Sequence, residues 1–288
     1  MLILLGLFII LAAVFGGFLL ERGNLVVLLQ PAELLIICGA ATGILLMSNA
    51  PATIRAMVRA VGGLLRPTRL SRQLYLTTLR MLYSLFSYCR RAGPADLERQ
   101  IENPGGSAIF QRYSEFLEDR EAVAFLCDSF RIFIAAGVNA ADLDRLMALD
   151  MDAQRRERAR PVGALGSLAD ALPGLGIVAA VLGVVVTMQS LGGPASEIGQ
   201  KVAAALVGTF LGILLCYGVA GPLAAHLESR NEMRAEYLRM IRTATVAYLG
   251  GASPLVAAEF ARRSIPAALR PTFDEMSEAL RRSELAAA

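Results

Sequence analysis

Two apolar stretches in the second half of the chain, Ala171–Leu191 and Lys201–Ala225, constrain the fold more than any other feature of the sequence. At about 1.5 Å per residue, each stretch is long enough to cross a hydrocarbon core roughly 30 Å thick. The short polar turn Gly192–Glu197 joins them. The sequence therefore predicts a pair of transmembrane helices in this region.

Small residues follow one face of each predicted helix. In the first helix these are Gly176, Ala180 and Gly183. In the second, positions spaced by four form a smooth row, which consists of Ala204, Gly208, Gly212, Cys216, Ala220 and Ala224. Small faces let helix backbones approach in lipid, where burying one leucine against another gains little. We therefore expect close packing along these faces.

The same two helices carry no formal charge at membrane depth. Residues 171–191 and 203–225 include no Asp, Glu, Lys or Arg, and the polar groups are chiefly Thr187, Thr209 and Tyr217. A membrane protein that moves protons by itself usually has an ionisable residue inside the bilayer. These spans therefore predict that any proton carrier comes from a partner.

Two more apolar stretches precede them, so four spans are predicted in all. The first is Leu2–Leu20, and no Lys or Arg comes before Arg22, which disfavours a cleaved signal peptide. The second begins at Pro31 and runs to about Asn49. Glu33 lies in its first turn, near a positive helix end, and is interpreted as an interfacial cap rather than a proton site.

Arginine placement predicts the orientation of the spans. Eight arginines and no acidic residue lie between Arg55 and Arg91, directly after the second span, while the two short turns are nearly neutral. Four more arginines, at positions 230, 234, 239 and 242, follow the fourth span. Because cytoplasmic segments are enriched in Lys and Arg, we predict that both termini and the large loop are cytoplasmic. This localised excess is not the footprint of a nucleic-acid-binding protein.

The fold class predicted is all-α, a polytopic membrane protein with four transmembrane helices and a helical cytoplasmic domain. Helical patterns without strand alternation fill the large loop, and Gly93 and Gly137 are predicted to end two of its helices. The predicted organisation is spans 1 and 2 in residues 1–50, a cytoplasmic domain in 51–169, spans 3 and 4 in 170–226, and a cytoplasmic tail in 227–288.

Enzyme signatures are missing from the sequence. It contains no G-x-S-x-G, no H-E-x-x-H and no phosphate-binding loop, and its four cysteines show no C-x-x-C spacing. With a single histidine, a zinc site is not expected. We therefore predict a protein that is not an enzyme and needs no cofactor or metal.

Four sequence segments resemble the MotA family, the membrane ring subunits of bacterial flagellar stators. They are QPAELLII at 30–37, LERQIENP at 97–104, LPGLGIVAAVLG at 172–183 and VGTFLGILLCYG at 207–218. The resemblance covers residues 1–270. TolQ and ExbB transducers are similar more distantly, and their three spans with an external amino terminus differ from the four spans predicted here.

The resemblance implies a homopentamer in the lipid bilayer around a MotB-type partner, whose single transmembrane helix supplies the proton-accepting aspartate. Gly176, Gly183, Gly208 and Gly212 would then pack against the partner helices. Thr209 would serve the ion path, although a membrane threonine commonly bonds its own backbone. Ala180 stands where sodium-driven relatives carry a threonine, which favours protons.

Four other assignments concern the polar lining and the coupling of the ion path to the loop. Thr187 and Tyr217 are candidate lining groups, and a packed tyrosine is an equal alternative for Tyr217. Pro173 and Pro222 would couple the partner's protonation to the cytoplasmic loop, although prolines also simply start or kink helices.

Three charged residues of the large loop are candidates for the rotor contact. Arg90 and Glu98 match the charged pair through which the family engages the rotor protein FliG, with Arg91 as an adjacent alternative. The same charges also suit helix ends, Arg90 at a carboxyl end and Glu98 in a first turn.

The function predicted is that of a proton-driven flagellar stator subunit. A TolQ/ExbB-type transducer and a non-conducting membrane scaffold are the alternatives.

Overall fold

The computed structural model describes residues 2–65, 70–189, 192 and 194–285, and in these residues the chain is all-α with no β-strand. This confirms the predicted fold class. The helices are α1 (Leu2–Leu20), α2 (Pro31–Ser48), α3 (Pro51–Gly63), α4 (Arg72–Ala92), α5 (Pro94–Glu102), α6 (Ala108–Gln111), α7 (Ser114–Leu117), α8 (Arg120–Ala136), α9 (Ala140–Met188), α10 (Ala195–Leu215), α11 (Gly221–Leu249), α12 (Pro254–Ser264) and α13 (Phe273–Leu285). A π-helical segment, Cys216–Ala220, lies between α10 and α11.

Four helical segments are long and apolar enough to cross a membrane, as the sequence predicted. They are Leu2–Leu20, Leu25–Ser48, Ala140–Met188 and Ala195–Leu249. The first has no buried residue within the chain, so its apolar side chains are left for lipid or for another polypeptide.

Several helix ends follow from capping residues. The Ser71 hydroxyl accepts a hydrogen bond from the Leu74 amide at 3.2 Å and starts α4. Gly93 and Gly137, with φ of 89° and 61°, end α4 and α8 at backbone conformations that side chains disfavour. The two predicted glycine stops are therefore confirmed.

The third span differs from its prediction because it is part of a much longer helix. The sequence predicted a separate helix at 171–191, whereas α9 runs unbroken for 49 residues and contains Pro161 and Pro173. A proline inside a helix costs about 3 kcal/mol. Ala164, Leu165, Ala169 and Leu172 lie in a buried apolar cluster, and that burial favours continuing the helix.

The fourth span begins earlier than predicted. The sequence predicted a turn over 192–197 and a helix from Lys201, but α10 already starts at Ala195, with Pro194 at its N-cap. Residues 190, 191 and 193 of the predicted connection lie outside the described part of the chain. Lys201 pairs with Glu197 at 2.9 Å, one turn apart, which stabilises this first part of α10.

The chain divides into two compact units, and α9 and α11 contribute residues to both. One unit consists of the described residues of Met1–Pro67 and Glu157–Ser229, and therefore contains all the apolar membrane segments. The other consists of the described residues of Thr68–Arg156 and Arg230–Ala288. Residues 51–65 and 157–169, which the sequence grouped with the cytoplasmic domain, thus belong to the unit that holds the spans.

The second unit has an aromatic core with internal polar partners. Phe86 stacks on Tyr248 with ring centroids 4.3 Å apart. Tyr237 is fully buried, and its hydroxyl lies 2.8 Å from the hydroxyl of Thr78, so these two buried hydroxyls are partners. Burial raises the pKa of Tyr237 well above its usual range, which keeps this hydroxyl protonated.

Arg234 is the central charged group of the second unit. Its side chain is 12% exposed, and its guanidinium forms a two-pronged ion pair with Asp119, one arm of which measures 2.6 Å, and also reaches Glu121 at 3.1 Å. Asp119 additionally accepts a hydrogen bond from the Ala122 amide at the start of α8. Loss of the guanidinium would remove the two-pronged ion pair from the partly buried Asp119 carboxylate.

We therefore expect Arg234→Ala to destabilise the second unit by about 3 kcal/mol. Thermal unfolding of the purified full-length protein in detergent measures the change. Arg282→Ala is the matched control, because its ion pair with Glu278 is mostly exposed and is expected to contribute at most about 0.5 kcal/mol. An equal effect of the two substitutions would contradict this ranking.

Candidate functional site

The site is built where α9 and α10 cross, in the unit that contains the spans. At this crossing no side chain separates the two backbones. A Cβ on Gly176 would lie 2.7 Å from the carbonyl oxygen of Gly208, and a Cβ on Gly212 would lie 2.5 Å from the carbonyl oxygen of Leu172. Real Cβ atoms are essentially never found at such distances, so only glycine permits this approach.

The small faces therefore pack within one chain, as the pattern in the sequence predicted. Gly183 meets Ala205, since a Cβ on Gly183 would lie 2.7 Å from that of Ala205. Gly176, Gly208 and Gly212 are buried, and Gly183 is half-buried. Packing of the same four glycines against a partner helix stays a prediction.

Glu33 of α2 enters this crossing, which the sequence did not anticipate. Its side chain is buried, and its carboxylate oxygens face the positions where Gly183 and Gly208 have no side chain. Glu33 lies in the first turn of α2, as predicted, but it is buried against α9 and α10, so the interpretation as an interfacial residue is wrong. The third and fourth spans themselves carry no charged residue in 171–191 and 203–225, as predicted, and the acid at their crossing comes from the second span.

One signal in the sequence could have located Glu33 correctly. Glu33, Ile37, Ala41 and Leu45 are spaced by four and are the buried residues of α2. Positions with this spacing share a helix face. Because Ile37, Ala41 and Leu45 indicate the core-facing side, this spacing places the carboxylate on the same row inside and not at the surface.

The predicted ion-path residues fall into two groups. Thr187 is buried and donates a hydrogen bond to the Gly183 carbonyl at 2.8 Å, the backbone bond typical of a membrane threonine. Thr209 and Ala180 are half-buried beside the crossing. Tyr217 is 73% exposed within the chain, so it is not a packed tyrosine of this chain.

The two predicted coupling prolines differ in their local backbone. Pro173 lies inside α9, next to the Leu172 carbonyl that contacts Gly212. Pro222 is the second residue of α11, one residue after Gly221, whose amide caps the π-helical segment by donating to the carbonyl of Cys216, five residues back. A proline cannot donate to the residue four positions earlier, and one wide turn accommodates that missing bond.

The predicted rotor-facing residues lie on neighbouring helices of the second unit. Arg90 and Arg91 are in the last turn of α4, and both are exposed. Glu98 is exposed on α5, but in the second turn rather than the predicted first, because α5 begins at Pro94. The position of Glu98 therefore gains less from the helix dipole than the sequence suggested.

Family models match both halves of the chain. Residues 4–93 match the model of the motility protein A N-terminal region, and residues 118–240 match the MotA/TolQ/ExbB proton channel family. Motility protein A of Escherichia coli (strain K12) is 38% identical over 281 residues, which cover 98% of this chain and 95% of that protein. The chemotaxis protein LafT of Vibrio parahaemolyticus is 35% identical over 280 residues, covering 97% and 98%.

Solved structures share the same fold. The flagellar MotAB stator complex from Bacillus subtilis includes a chain that superposes with a TM-score of 0.77 at 21% identity, covering 94% of this chain and 99% of that one. C. jejuni MotAB gives a TM-score of 0.76 at 16% identity, covering 92% and 95%. At these identities the likeness establishes the fold of this chain and nothing further.

Proposed function

Because this chain belongs to the motility protein A family, within the MotA/TolQ/ExbB proton channel proteins, we propose that it is a stator subunit of the bacterial flagellar motor. It is an inner-membrane protein that couples inward proton flow to rotation and torque on the rotor. The observation that carries this function is the 38% sequence identity to motility protein A over 98% of this chain, together with the four spans.

The stator works with a MotB-type single-span subunit that supplies a proton-accepting aspartate, and with further copies of this chain in a ring of five. Two features support such partners. The related solved structures are MotAB complexes. The spans also expose many large apolar side chains, including Val185, Val186, Leu206 and Ile213, which lipid or neighbouring helices would cover.

The ion path passes the small-residue crossing beside Thr209. The Thr209 hydroxyl is next to Gly208 and half-buried. It can donate a hydrogen bond to an ionised carboxylate of the partner or accept one from the protonated carboxyl group. Thr187 and Tyr217 line the same path at other depths, and Ala180 in place of a hydroxyl favours protons over sodium. Each proton that crosses the membrane potential supplies about 2.3 kcal/mol per 100 mV.

Both termini face the cytoplasm in this proposal. The arginines between Arg55 and Arg91 and those from Arg230 to Arg242 support it, since cytoplasmic flanks are enriched in basic residues. Tags are placed on either terminus, and their accessibility from the outer and from the cytoplasmic face of the inner membrane measures the orientation. An external amino terminus would favour a TolQ/ExbB-type topology.

Complementation tests the proposed function. We expect this chain and a MotB-type partner, expressed together in a flagellated strain without stators, to restore swimming. Neither subunit should do so alone, and neither should a partner whose transmembrane aspartate is changed to asparagine. A non-conducting scaffold would assemble with the partner but restore no motility. Coexpressed with a partner from which the segment that plugs the channel has been removed, it would also leak no protons. A TolQ/ExbB-type protein would instead restore outer-membrane energisation.

Charge reversal tests the rotor contact. We expect Arg90→Glu or Glu98→Lys to weaken torque without abolishing it, because an exposed charge pair contributes about 1 kcal/mol or less and is screened by salt. Stall torque of tethered cells gives the measurement, and Arg281→Glu, an exposed arginine on α13, serves as the control. Unchanged torque after reversal of both Arg90 and Glu98 would refute this contact.

A further inference from the structure

Glu33 is an acidic side chain on the inward face of a membrane helix. Its residue is 7% exposed within a single chain, and the row that continues from it along α2 is Ile37, Ala41 and Leu45, all buried. The apolar cluster that this row joins includes buried residues of α9 such as Ala179. A carboxylate at such a position is costly, and intramembrane acids of this kind usually serve a function.

The carboxylate fits into the gap that two glycines leave. A Cβ on Gly183 would lie 3.2 Å from Glu33 Oε1, and a Cβ on Gly208 would lie 2.8 Å from Glu33 Oε2. The Gly208 position is also limited by the backbone nitrogen of Ala180, 3.0 Å from the same Cβ position. Glycine at 183 and 208 therefore makes room for a carboxyl group as well as for helix packing.

Within the described residues, Glu33 Oε2 has no hydrogen-bond partner. No basic residue lies on α9 between 171 and 188, and the charged residues of α10 are Glu197 and Lys201, which pair with each other at 2.9 Å. On α2 itself, Glu33 is the only charged side chain. An ionised carboxylate without a counter-charge here would cost several kcal/mol, so the group needs a proton or water.

We propose that Glu33 is a proton-binding site of this chain, placed on the ion path ahead of the partner's aspartate; this rests on the stator function proposed above. A proton from water on the outer side adds to the Glu33 carboxylate and makes the neutral acid. The neutral acid gives that proton to the partner's carboxylate, either directly or through water. Glu33 is left ionised until the next proton arrives, so charge and protons balance over each step.

Glu33 would thus carry a proton toward a partner helix past the third and fourth spans, whose polar groups are chiefly the hydroxyls of Thr187, Thr209 and Tyr217. Its first-turn position on α2 lies toward the predicted outer side, near the short connection that includes Leu25–Leu28. The crossing that it fills is also the one next to Thr209. The site therefore places one titrating acid in each copy of this chain, where the partner's carboxylates pass.

Infrared spectroscopy of the complex with its MotB-type partner, in lipid vesicles, tests proton binding directly. We expect a protonated-carboxyl band that titrates with pH and shifts in heavy water. Glu33→Gln, which keeps the shape but cannot ionise, should remove this band. Glu21→Gln, at an exposed position after α1, is the matched control and should leave the band unchanged.

Proton flux through the same vesicles tests the role in the path. We expect Glu33→Gln to lower flux by roughly 100-fold, the low end of what a positioned proton-transfer group contributes. Glu33→Asp should keep part of the flux, because it still titrates. If the Glu33→Gln variant does not assemble, the Glu33→Asp variant tests the proposal instead. Its protonated-carboxyl band is expected to titrate at a different pH from that of the wild type.

Three results would overturn the proposal: no band assignable to Glu33, wild-type flux in Glu33→Gln, or a Glu33→Asp band that titrates as in the wild type. Failure of the stator function itself looks different, because the wild-type complex would then neither conduct nor rotate. In that case the infrared band would still show that Glu33 binds a proton, while the role of Glu33 in proton transport would be refuted.

Discussion

Replacing Gly212 with alanine is expected to abolish stator assembly and swimming. The added methyl would lie 2.5 Å from the Leu172 carbonyl oxygen and 2.8 Å from the Gly176 Cα, and both are backbone atoms that cannot turn aside. Overpacking a core commonly costs 1–3 kcal/mol, and we expect about 3 kcal/mol or more here because two helix axes must separate. The amount of protein in the membrane and its co-purification with the partner give the measurement.

Gly199→Ala is the matched control for this substitution. Gly199 lies on the same helix, α10, is exposed, and a methyl added there would point into open space, with no neighbouring element within 4 Å. Alanine there favours the helix by up to about 1 kcal/mol. Normal assembly of Gly212→Ala would mean that α9 and α10 do not pack through their glycines in the working stator.

Replacing Pro173 with alanine is expected to leave assembly intact and to abolish rotation. Alanine restores the amide that α9 lacks at this turn, so the helix becomes locally stiffer while the contact of Leu172 with Gly212 remains. If Pro173 lets α9 bend when the partner's carboxyl changes its protonation, a stiffer helix uncouples that change from the rotor-facing unit. Partner co-purification and the rotation of tethered cells measure the two outcomes separately.

Pro161→Ala provides the comparison, because Pro161 also lies inside α9 but away from the glycine crossing. We expect this variant to rotate. If Pro173→Ala rotated at wild-type speed, Pro173 would be only a tolerated helix proline, and the coupling would have to pass through another element. Pro222, which follows the π-helical segment, would then be the next position to change.

Much of the fold could be predicted because it depends on local rules. Apolar length identified the four spans, the two glycine stops identified helix ends, and spacing by four identified the smooth face of α10. The continuity of α9 could not be predicted in this way. Pro161 and Pro173 locally favour a break, and only the burial of residues such as Leu165 and Leu172 against other helices outweighs it.

The candidate site was predictable only in part, for a related reason. Thr209, Gly208 and Gly212 belong to one helix, so their common region follows from periodicity. Glu33 lies far from Gly183 along the chain, and no local sequence pattern predicts that its carboxylate lies next to that glycine in space. A first-turn acid is common at helix ends, and this local preference led to the incorrect assignment.

The sequence by itself determined that this chain crosses a membrane four times, that its third and fourth spans have smooth faces without charge, and that its family is motility protein A. These properties reside in composition, periodicity and motif, which each stretch carries independently of its neighbours. Only the tertiary structure decided what fills the gap between those smooth faces. Packing brings α2 against α9 and α10, and a carboxylate then occupies the space that Gly183 and Gly208 leave open.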